Sequence, residues 1–388
     1  MLTRRSFLRS SPLVALSSTV PLFVTRSLHA ASVDTNARVL VVVELDGGND
    51  ALNTVVPYAD EAYARLRPKL KLNPKDVIKL SDALGLNSAL RPLRKLLEAG
   101  QLAVVPGVGY PNPNRSHFES MAIWRTARFD PEEFKGYGWL GRALDPSAGT
   151  MYSVGQDVPI SLRGRRSSAV SFKRINEVLL SDPTAARAGV GPETTDDLLG
   201  FVRRQAVAGH TAADRLATLN STSGPTYPST ELAERLKQIA YLLKADVGAR
   251  VFYTQQSGYD THSQQKYPHA ELLNNFADAV AAFFADMTES KLADRVALIA
   301  FSEFGRTIRE NGSGGTDHGT AGAVLVVGPG AKGGVIGSMP SLTDLDKGEP
   351  KMTTDFRSVY TAALTTWLGL PSAEALGGRF EPAPLFRG

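Results

Sequence analysis

The feature that most constrains the fold is a set of continuous apolar runs, each of which stops abruptly at glycine or polar residues. The first, RVLVVVELDGG at 38–48, is rich in valine and ends in Asp46 and two glycines. Such runs are typical of strands buried on both faces of a mainly parallel sheet. Similar runs occupy 101–109, 249–258, 295–305 and 321–330. The sequence therefore predicts a buried, mostly parallel sheet.

Helical patterns near 87–99, 230–246 and 268–288 lie between these runs. Strands that alternate with helices predict an α/β domain with helices on both faces of the sheet. Ligands of such sheets bind beyond the carboxyl ends of the strands. The stretch 145–230 breaks the alternation with short strand-like pieces and a linker-like end. We predict that it is an inserted, cap-like region of the same domain.

The first 31 residues have the layout of a secretory signal. Paired Arg4 and Arg5 precede a modest apolar run, which closes on small residues around Ala30 and Ala31. The twin arginines predict export by the Tat translocation machinery, and hence a periplasmic or secreted protein. The apolar run is shorter than the ~20 residues that a membrane span needs. We therefore expect a signal peptide and no stable membrane span.

Charge and cysteine content exclude several classes of function. The chain has 43 basic and 39 acidic side chains, and the four arginines of the signal account for the difference. The rest of the chain is balanced, which gives no support to a nucleic-acid partner. Because the chain has no cysteine, thiol nucleophiles, thiolate zinc sites and iron–sulfur clusters are excluded. The sequence also lacks a G-x-S-x-G nucleophile elbow, which disfavours an ordinary α/β-hydrolase.

Carboxylate and imidazole side chains flank four of the predicted strands. The candidate metal ligands are Asp46, Asp260, His262, Glu303, Asp317 and His318. Mixed oxygen and nitrogen ligands suit a divalent cation, and the pattern does not distinguish Zn, Mn, Mg and Ca. We expect these side chains to converge at one edge of the sheet and to bind such an ion.

A second group of candidates begins the helix after the 101–109 strand. Ser116 and His117 belong to SHFE, which matches a capping box, so Ser116 is either a helix cap or a nucleophile. A helix N-terminus would also assist attack on a phosphoryl or sulfuryl centre. We take Ser116, His117 and Arg306 as the candidate catalytic residues, with Arg306 or Arg115 as the clamp on the anion.

Several motifs together carry a family resemblance: LDGGNDALN, NRSHFES, GYDTH, SEFGRT and DHGTAGAVLVVGPGA. The chain resembles a Tat-exported bacterial family of unknown function (DUF1501) that is related to the alkaline phosphatase and sulfatase superfamily. The resemblance implies an alkaline-phosphatase-like three-layer sandwich over residues 32–388. It also implies metal binding by Asp46, by the Asp260–His262 pair and by His318.

Two positions depart from the superfamily pattern. Phe304 stands where a ligand histidine is expected, and Pro111 stands at the nucleophile position of the sulfatase signature. The resemblance implies metal-dependent hydrolysis or transfer of a phosphate or sulfate ester, with a small anionic ester as substrate. The alternative is a non-catalytic binding or assembly protein that retains the fold and recognises an exported partner protein.

Overall fold

The structure is a computed structural model, and it describes residues 37–130, 132–133, 136–174 and 225–387. The predicted signal peptide, residues 1–31, lies outside the described residues. So does the greater part of the predicted cap-like region, residues 175–224. Within the described residues, no helix combines the length and the apolar character that crossing a bilayer requires.

The strands are β1 Val39–Asp46, β2 Val55–Val56, β3 Val77–Lys79, β4 Gly85–Asn87, β5 Leu102–Gly109, β6 Thr150–Val154, β7 Ser168–Phe172, β8 Val251–Ser257, β9 Val296–Phe301, β10 Gly322–Val327, β11 Gly334–Val335, β12 Leu345–Asp346, β13 Glu349–Pro350 and β14 Thr354–Asp355. The α-helices are α1 Ala51–Thr54, α2 Glu61–Leu66, α3 Arg94–Glu98, α4 His117–Thr126, α5 Trp139–Leu144, α6 Glu231–Lys244, α7 Lys266–Glu289, α8 Phe356–Thr361 and α9 Ala373–Leu376. A 3₁₀ helix at Ser88–Leu93 precedes α3, and a π-helix at Ala362–Trp367 follows α8.

The central sheet has the strand order β11-β5-β10-β9-β1-β8-β6-β7, and β14 also pairs with β5. β1 lies in the middle and runs parallel to β8 and to β9. Its valines are buried because alternate side chains pack into two different cores. Helices α6 and α7 cover one face of the sheet, and α4, α5 and α8 cover the other. The predicted α/β class, with a mostly parallel sheet and helices on both faces, is confirmed.

One strand of the central sheet, β10, is antiparallel to its neighbours, and its direction determines which residues meet at the carboxyl edge of the sheet. β10 is antiparallel to both β9 and β5. Its first residue, Gly322, pairs with Val108 near the end of β5. The start of β10 therefore lies at the edge where β1, β5, β8 and β9 end. Residues before β10 and residues after the other four strands meet at this edge.

The described part of the region 145–230 contributes two strands to the central sheet. β6 pairs with β8, and β7 pairs with β6, both in parallel register, so the two strands extend the central sheet. The side chains of Met151, Tyr152 and Val154 are buried in the two cores on either side of it. Short pieces of this region are thus strands of the central sheet, with β7 at its edge, and the bounds of an inserted region stay a prediction.

Candidate metal centre and active site

The turn after β1 and the loop after β8 approach each other at the carboxyl edge of the sheet. Gly47 has a φ of +118°, and a Cβ atom there would lie 2.5 Å from the backbone nitrogen of Asp260. Only glycine allows both this conformation and this close approach. The approach places Asp260 directly over the end of β1.

The buried guanidinium group of Arg306 ties these segments together. Its Nε donates to the carbonyl of Gly48 at 2.7 Å, and its Nη2 donates to the carbonyl of Tyr259 at 3.0 Å. Nη2 also contacts Oδ1 of Asp260 at 2.6 Å, and the Arg306 side chain is fully buried. Arg306 therefore fixes the Asp260 carboxylate in place.

Three imidazole rings surround the same carboxylate oxygen. Nε2 of His262 lies 3.0 Å from Asp260 Oδ1, Nε2 of His318 lies 3.2 Å from it, and Nε2 of His117 lies 3.5 Å from it. The Nε2 atoms of His262 and His318 are 3.0 Å apart. His117, Asp260 and His318 form a group whose ligand atoms all lie within 4.8 Å of one another. Loops after β5, β8 and β9 have thus brought four polar groups to one point.

The other ring nitrogen of each histidine faces an oxygen acceptor. Nδ1 of His117 contacts Glu303 Oε1 at 2.6 Å. Nδ1 of His262 contacts Asp317 Oδ1 at 3.2 Å, and Nδ1 of His318 contacts the Arg115 carbonyl at 2.8 Å. A carboxylate or carbonyl oxygen can only accept. The Nδ1 contacts of His117 and His318 are shorter than their Nε2 contacts with Asp260, so we assign the proton of these two rings to Nδ1.

This assignment leaves the Nε2 lone pairs of His117 and His318 directed at the anionic oxygen of Asp260. Burial tends to raise the pKa of Asp260, but the hydrogen bond and the charge of Arg306 lower the pKa to about 2, so the carboxylate is ionised at neutral pH. Nε2 of His117 is buried and has no hydrogen-bond partner among the described residues. Such a cluster of lone pairs is repulsive unless a cation or protons occupy its centre.

The donor geometry fits a divalent metal ion. Ligand atoms on a tetrahedral zinc ion at about 2.0–2.1 Å lie roughly 3.3 Å from one another. The separations of 3.0, 3.2 and 3.5 Å between Asp260 Oδ1 and the three Nε2 atoms bracket this value. Imidazole ligands suit zinc and other transition metals better than magnesium or calcium, which prefer all-oxygen shells. Carboxylate and carbonyl partners on the outer nitrogens are the usual support for histidine ligands.

The number of protein ligands bears on what such a site can do. If only the group His117, Asp260 and His318 binds the ion, a fourth position stays open, as in catalytic zinc sites. His262 lies beside two members of the group and closes that position if it also binds. A four-ligand shell is typical of structural zinc.

Two of the metal ligands predicted from the sequence, Glu303 and Asp317, contact Nδ1 atoms of the histidines. Glu303 is buried, accepts from the Gly47 amide at 3.0 Å and holds His117. Asp317 accepts from His262 and from Asn311 Nδ2 at 3.2 Å. The hydrogen bond to Asn311, followed by that to His262, lowers the pKa of Asp317. The structure thus gives both carboxylates the position of orienting groups.

Asp46 ends β1 at the same edge but is not part of the group. Among the described residues, no hydrogen bond or ion pair to its carboxylate is observed.

Phe304 stands at the position where the resemblance expects a ligand histidine. Its ring centroid lies 5.0 Å from that of His117 and 4.9 Å from that of His318.

Ser116 is the N-cap residue of α4, but its hydroxyl makes no capping hydrogen bond. The Ser116 amide donates to Asn114 Oδ1 at 2.7 Å. The amide of Ser120 is the first in α4 to bond back, to the Ser116 carbonyl. No acceptor is observed, among the described residues, for the amides of 117–119. The Ser116 hydroxyl and these amides therefore form an uncapped helix end beside His117, with the carboxylate of Glu119 in the same first turn.

The candidate catalytic residues from the sequence thus separate into different positions. The structure does not place Arg306 as a clamp on an external anion, because its nitrogens contact backbone carbonyls and Asp260 in a buried position. Arg115 remains exposed, and its charge interacts with the carboxyl group of Glu349. His117 joins the candidate metal ligands, a position that sequence reasoning missed. The hydrogen bond to Glu303 raises the pKa of His117. The sequence feature that could have identified His117 as a candidate ligand is its place directly after Ser116, at the edge where the other histidines lie.

Solved structures with a similar chain path come from several bacterial proteins. The C-terminal periplasmic domain of EcEptC from Escherichia coli is 10% identical over 91% of each chain, with a TM-score of 0.42. The lipoteichoic acid synthase LtaP from Listeria monocytogenes is 10% identical over 82% of this chain and 74% of its own, with a TM-score of 0.38. A protein of the alkaline phosphatase superfamily from Vibrio parahaemolyticus is 10% identical over 88% and 69%, with a TM-score of 0.37.

At the sequence level, no curated protein matches this chain. The family described as "Protein of unknown function (DUF1501)" matches residues 103–366. This segment contains β5 from its second residue onward, together with β8, β9 and β10. It also contains His117, Asp260, His262 and His318. Because the match spans more than half of the chain, the protein belongs to the DUF1501 family.

Proposed function

We propose that this protein is an exported, metal-dependent hydrolase or transferase that acts on a phosphate or sulfate ester. The observation that carries the proposal is the orientation of His117, His262 and His318. All three direct Nε2 at the Asp260 carboxylate while oxygen acceptors hold Nδ1. Such a polar cluster is costly without a cation at its centre, and it lies at the sheet edge where α/β proteins bind ligands.

The residues of the site would divide the work as follows. His117, Asp260 and His318 would hold the ion, and Glu303 and Arg306 would keep two of these ligands oriented. A divalent ion bound there would supply Lewis-acid polarisation of the ester and lower the pKa of a coordinated water or hydroxyl group.

The free end of α4 supplies the second half of the site. Backbone amides at a helix N-terminus bind tetrahedral anions, so the amides of 117–119 would receive the oxygens of the ester. The Ser116 hydroxyl, which is not used as a cap, is the candidate nucleophile. Because α4 has ten residues, the alignment of its peptide dipoles favours negative charge at this end.

The alternative function is a non-catalytic binding or assembly protein with a closed metal site. The position of His262, beside both Asp260 and His318, favours a four-ligand shell. The buried ring of Phe304 in place of an expected ligand favours the same alternative. In that protein the ion would stabilise the loops instead of contacting a substrate.

Hydrolysis of 4-nitrophenyl phosphate and 4-nitrophenyl sulfate by the zinc-loaded protein separates the two functions. If the site is catalytic, one ester is hydrolysed and Ser116→Ala and His318→Ala each abolish the activity. His262→Ala would retain a measurable part of it, because the three-ligand group persists. Stoichiometric metal with no hydrolysis of either ester, combined with a large loss of stability in His262→Ala, supports the closed site.

We also propose that residues 1–31 direct export and are then removed. The proposal rests on Arg4 and Arg5 and on the small residues at Ala30 and Ala31. Replacing both arginines by lysine is expected to keep the protein in the cytoplasm. Intact-mass measurement of the exported protein should give a chain that begins near 31 or 32, and a mass that includes residues 1–30 would contradict cleavage.

A further inference from the structure

A cleft opens directly beside the candidate metal centre. Its volume is about 400 Å³, and its lining residues are Asn112, Pro113, Arg115, Thr320, Asp346 and Lys347. An adjoining space of about 150 Å³ shares four of these residues and is walled by Tyr110 and Met352. The larger space alone falls within the usual range for small-molecule sites, about 300–1,000 Å³.

The cleft is continuous with the catalytic edge through two of its lining residues. The carbonyl of Arg115 accepts a hydrogen bond from His318 Nδ1 at 2.8 Å, so the backbone that carries the Arg115 side chain contacts a candidate ligand. Ser116 follows directly in sequence. Thr320, which also lines the cleft, lies two residues after His318, and its carbonyl accepts from the Gly305 amide at 3.0 Å.

The charges of the cleft favour an anionic occupant. Arg115 and Lys347 are exposed, and no hydrogen bond or ion pair of either side chain is observed among the described residues. Lys351, in the adjoining space, is paired with Asp344 at 2.5 Å. Asp346 is the one carboxylate among the lining residues of the larger space, so the lining itself carries two cations against one anion. The buried carboxyl group of Glu349 also interacts electrostatically with Arg115. Tyr110, Pro111, Pro113 and Met352 offer apolar contact beside these cations.

On the basis of the proposed function, we infer that this cleft binds the leaving-group side of the ester, and that this side carries a second anionic group, held by Arg115 and Lys347. The reacting phosphoryl or sulfuryl group would lie at the end of α4, and the body of the substrate would extend over Pro113 towards Lys347. The substrate class is therefore an ester with two anionic groups separated by an apolar or ring-containing body.

The test compares two non-hydrolysable probes, phenylphosphonate and 4-carboxyphenylphosphonate, which differ by one carboxylate. Isothermal titration of the zinc-loaded protein is expected to give about fivefold tighter binding of the carboxylated probe, the size typical of one partly exposed charge contact. Lys347→Gln should reduce this preference by at least half, and Lys347→Gln combined with Arg115→Gln should abolish it. Raising the salt concentration should also reduce the preference.

The matched control is Lys79→Gln, which removes an exposed lysine from β3, outside the cleft. It should leave both affinities unchanged. Equal binding of the two probes by the unaltered protein overturns the inference and leaves the proposed function standing. A preference that survives in the double variant overturns it too. Binding of neither probe by the zinc-loaded protein overturns the proposed function and the inference together.

Discussion

At the scale of single residues, the chemistry of the site depends on which nitrogen of each histidine carries the proton. The sequence predicts that His262, Asp317 and His318 lie near one edge, because they flank predicted strands. It does not reveal that Asp317 and Glu303 face Nδ1 atoms, since this depends on how the loops fold back on one another. Local patterns could suggest ligand types, but not the division into ligands and orienting groups.

Ser116 offers a direct test at this scale, because its hydroxyl makes no cap bond. Ser116→Ala should therefore change the free energy of unfolding by less than about 0.5 kcal/mol, while any esterase activity is lost. Urea denaturation and hydrolysis assays on the same preparation check both parts.

Asp60 provides the matched control for the Ser116 substitution. It is the N-cap of α2 and accepts from the Ala62 amide at 2.7 Å. Asp60→Ala should cost roughly 1 kcal/mol and leave the activity unchanged. If Ser116→Ala costs as much as Asp60→Ala and the activity persists, the hydroxyl is a cap and not a nucleophile.

His269 predicts a pH dependence of stability outside the catalytic group. Burial lowers the pKa of His269 to about 4, although the nearby Asp50 opposes the shift. In the unfolded chain the pKa is about 6.5. Between these values the unfolded chain binds a proton that the folded protein does not, so stability falls as the pH drops from about 6.5 to 4. The loss is on the order of 3 kcal/mol.

His269→Gln removes this titration while keeping a side chain that can donate to Asn49. The variant should lose less stability than the unaltered protein between pH 7 and pH 4.5, as measured by urea denaturation at each pH. An identical loss in both proteins would show that other groups cause the pH dependence.

At the scale of elements, the turn after β1 determines where Asp260 lies. The pattern of a strand ending in Asp-Gly-Gly predicted a tight turn and the strand itself. It did not predict that Gly47 contacts the loop after β8, because the two segments are more than 200 residues apart. The same limit applies to β6 and β7, which join the central sheet through the pairing of β6 with the distant β8.

Gly47→Ala tests the role of this turn. The new Cβ would lie 2.5 Å from the backbone nitrogen of Asp260, at a φ of +118°. The substitution should destabilise the protein by about 2 kcal/mol or more and weaken metal binding at least tenfold. Gly312→Ala is the control, because a Cβ there meets nothing within 4 Å. Unchanged metal affinity in Gly47→Ala would mean that the turn does not position Asp260.

At the scale of the whole molecule, the order of layers and the buried strands were predictable from continuous apolar runs and helical patterns. The antiparallel direction of β10 was not, because a buried run reads the same in either direction. That direction has a consequence for the site, since it places the residues before β10 at the edge where β1, β8 and β9 end. His318 reaches the cluster for this reason.

The proposed site requires that His117, Asp260 and His318 together bind one divalent metal ion. The most direct measurement is metal content by mass spectrometry after dialysis of the purified protein against limiting zinc. We predict about one zinc ion per chain, lost in His117→Ala and in His318→Ala, and retained in His269→Gln, which alters a histidine outside the cluster. A folded protein that binds no stoichiometric metal, or that keeps its metal in both alanine variants, would contradict the account.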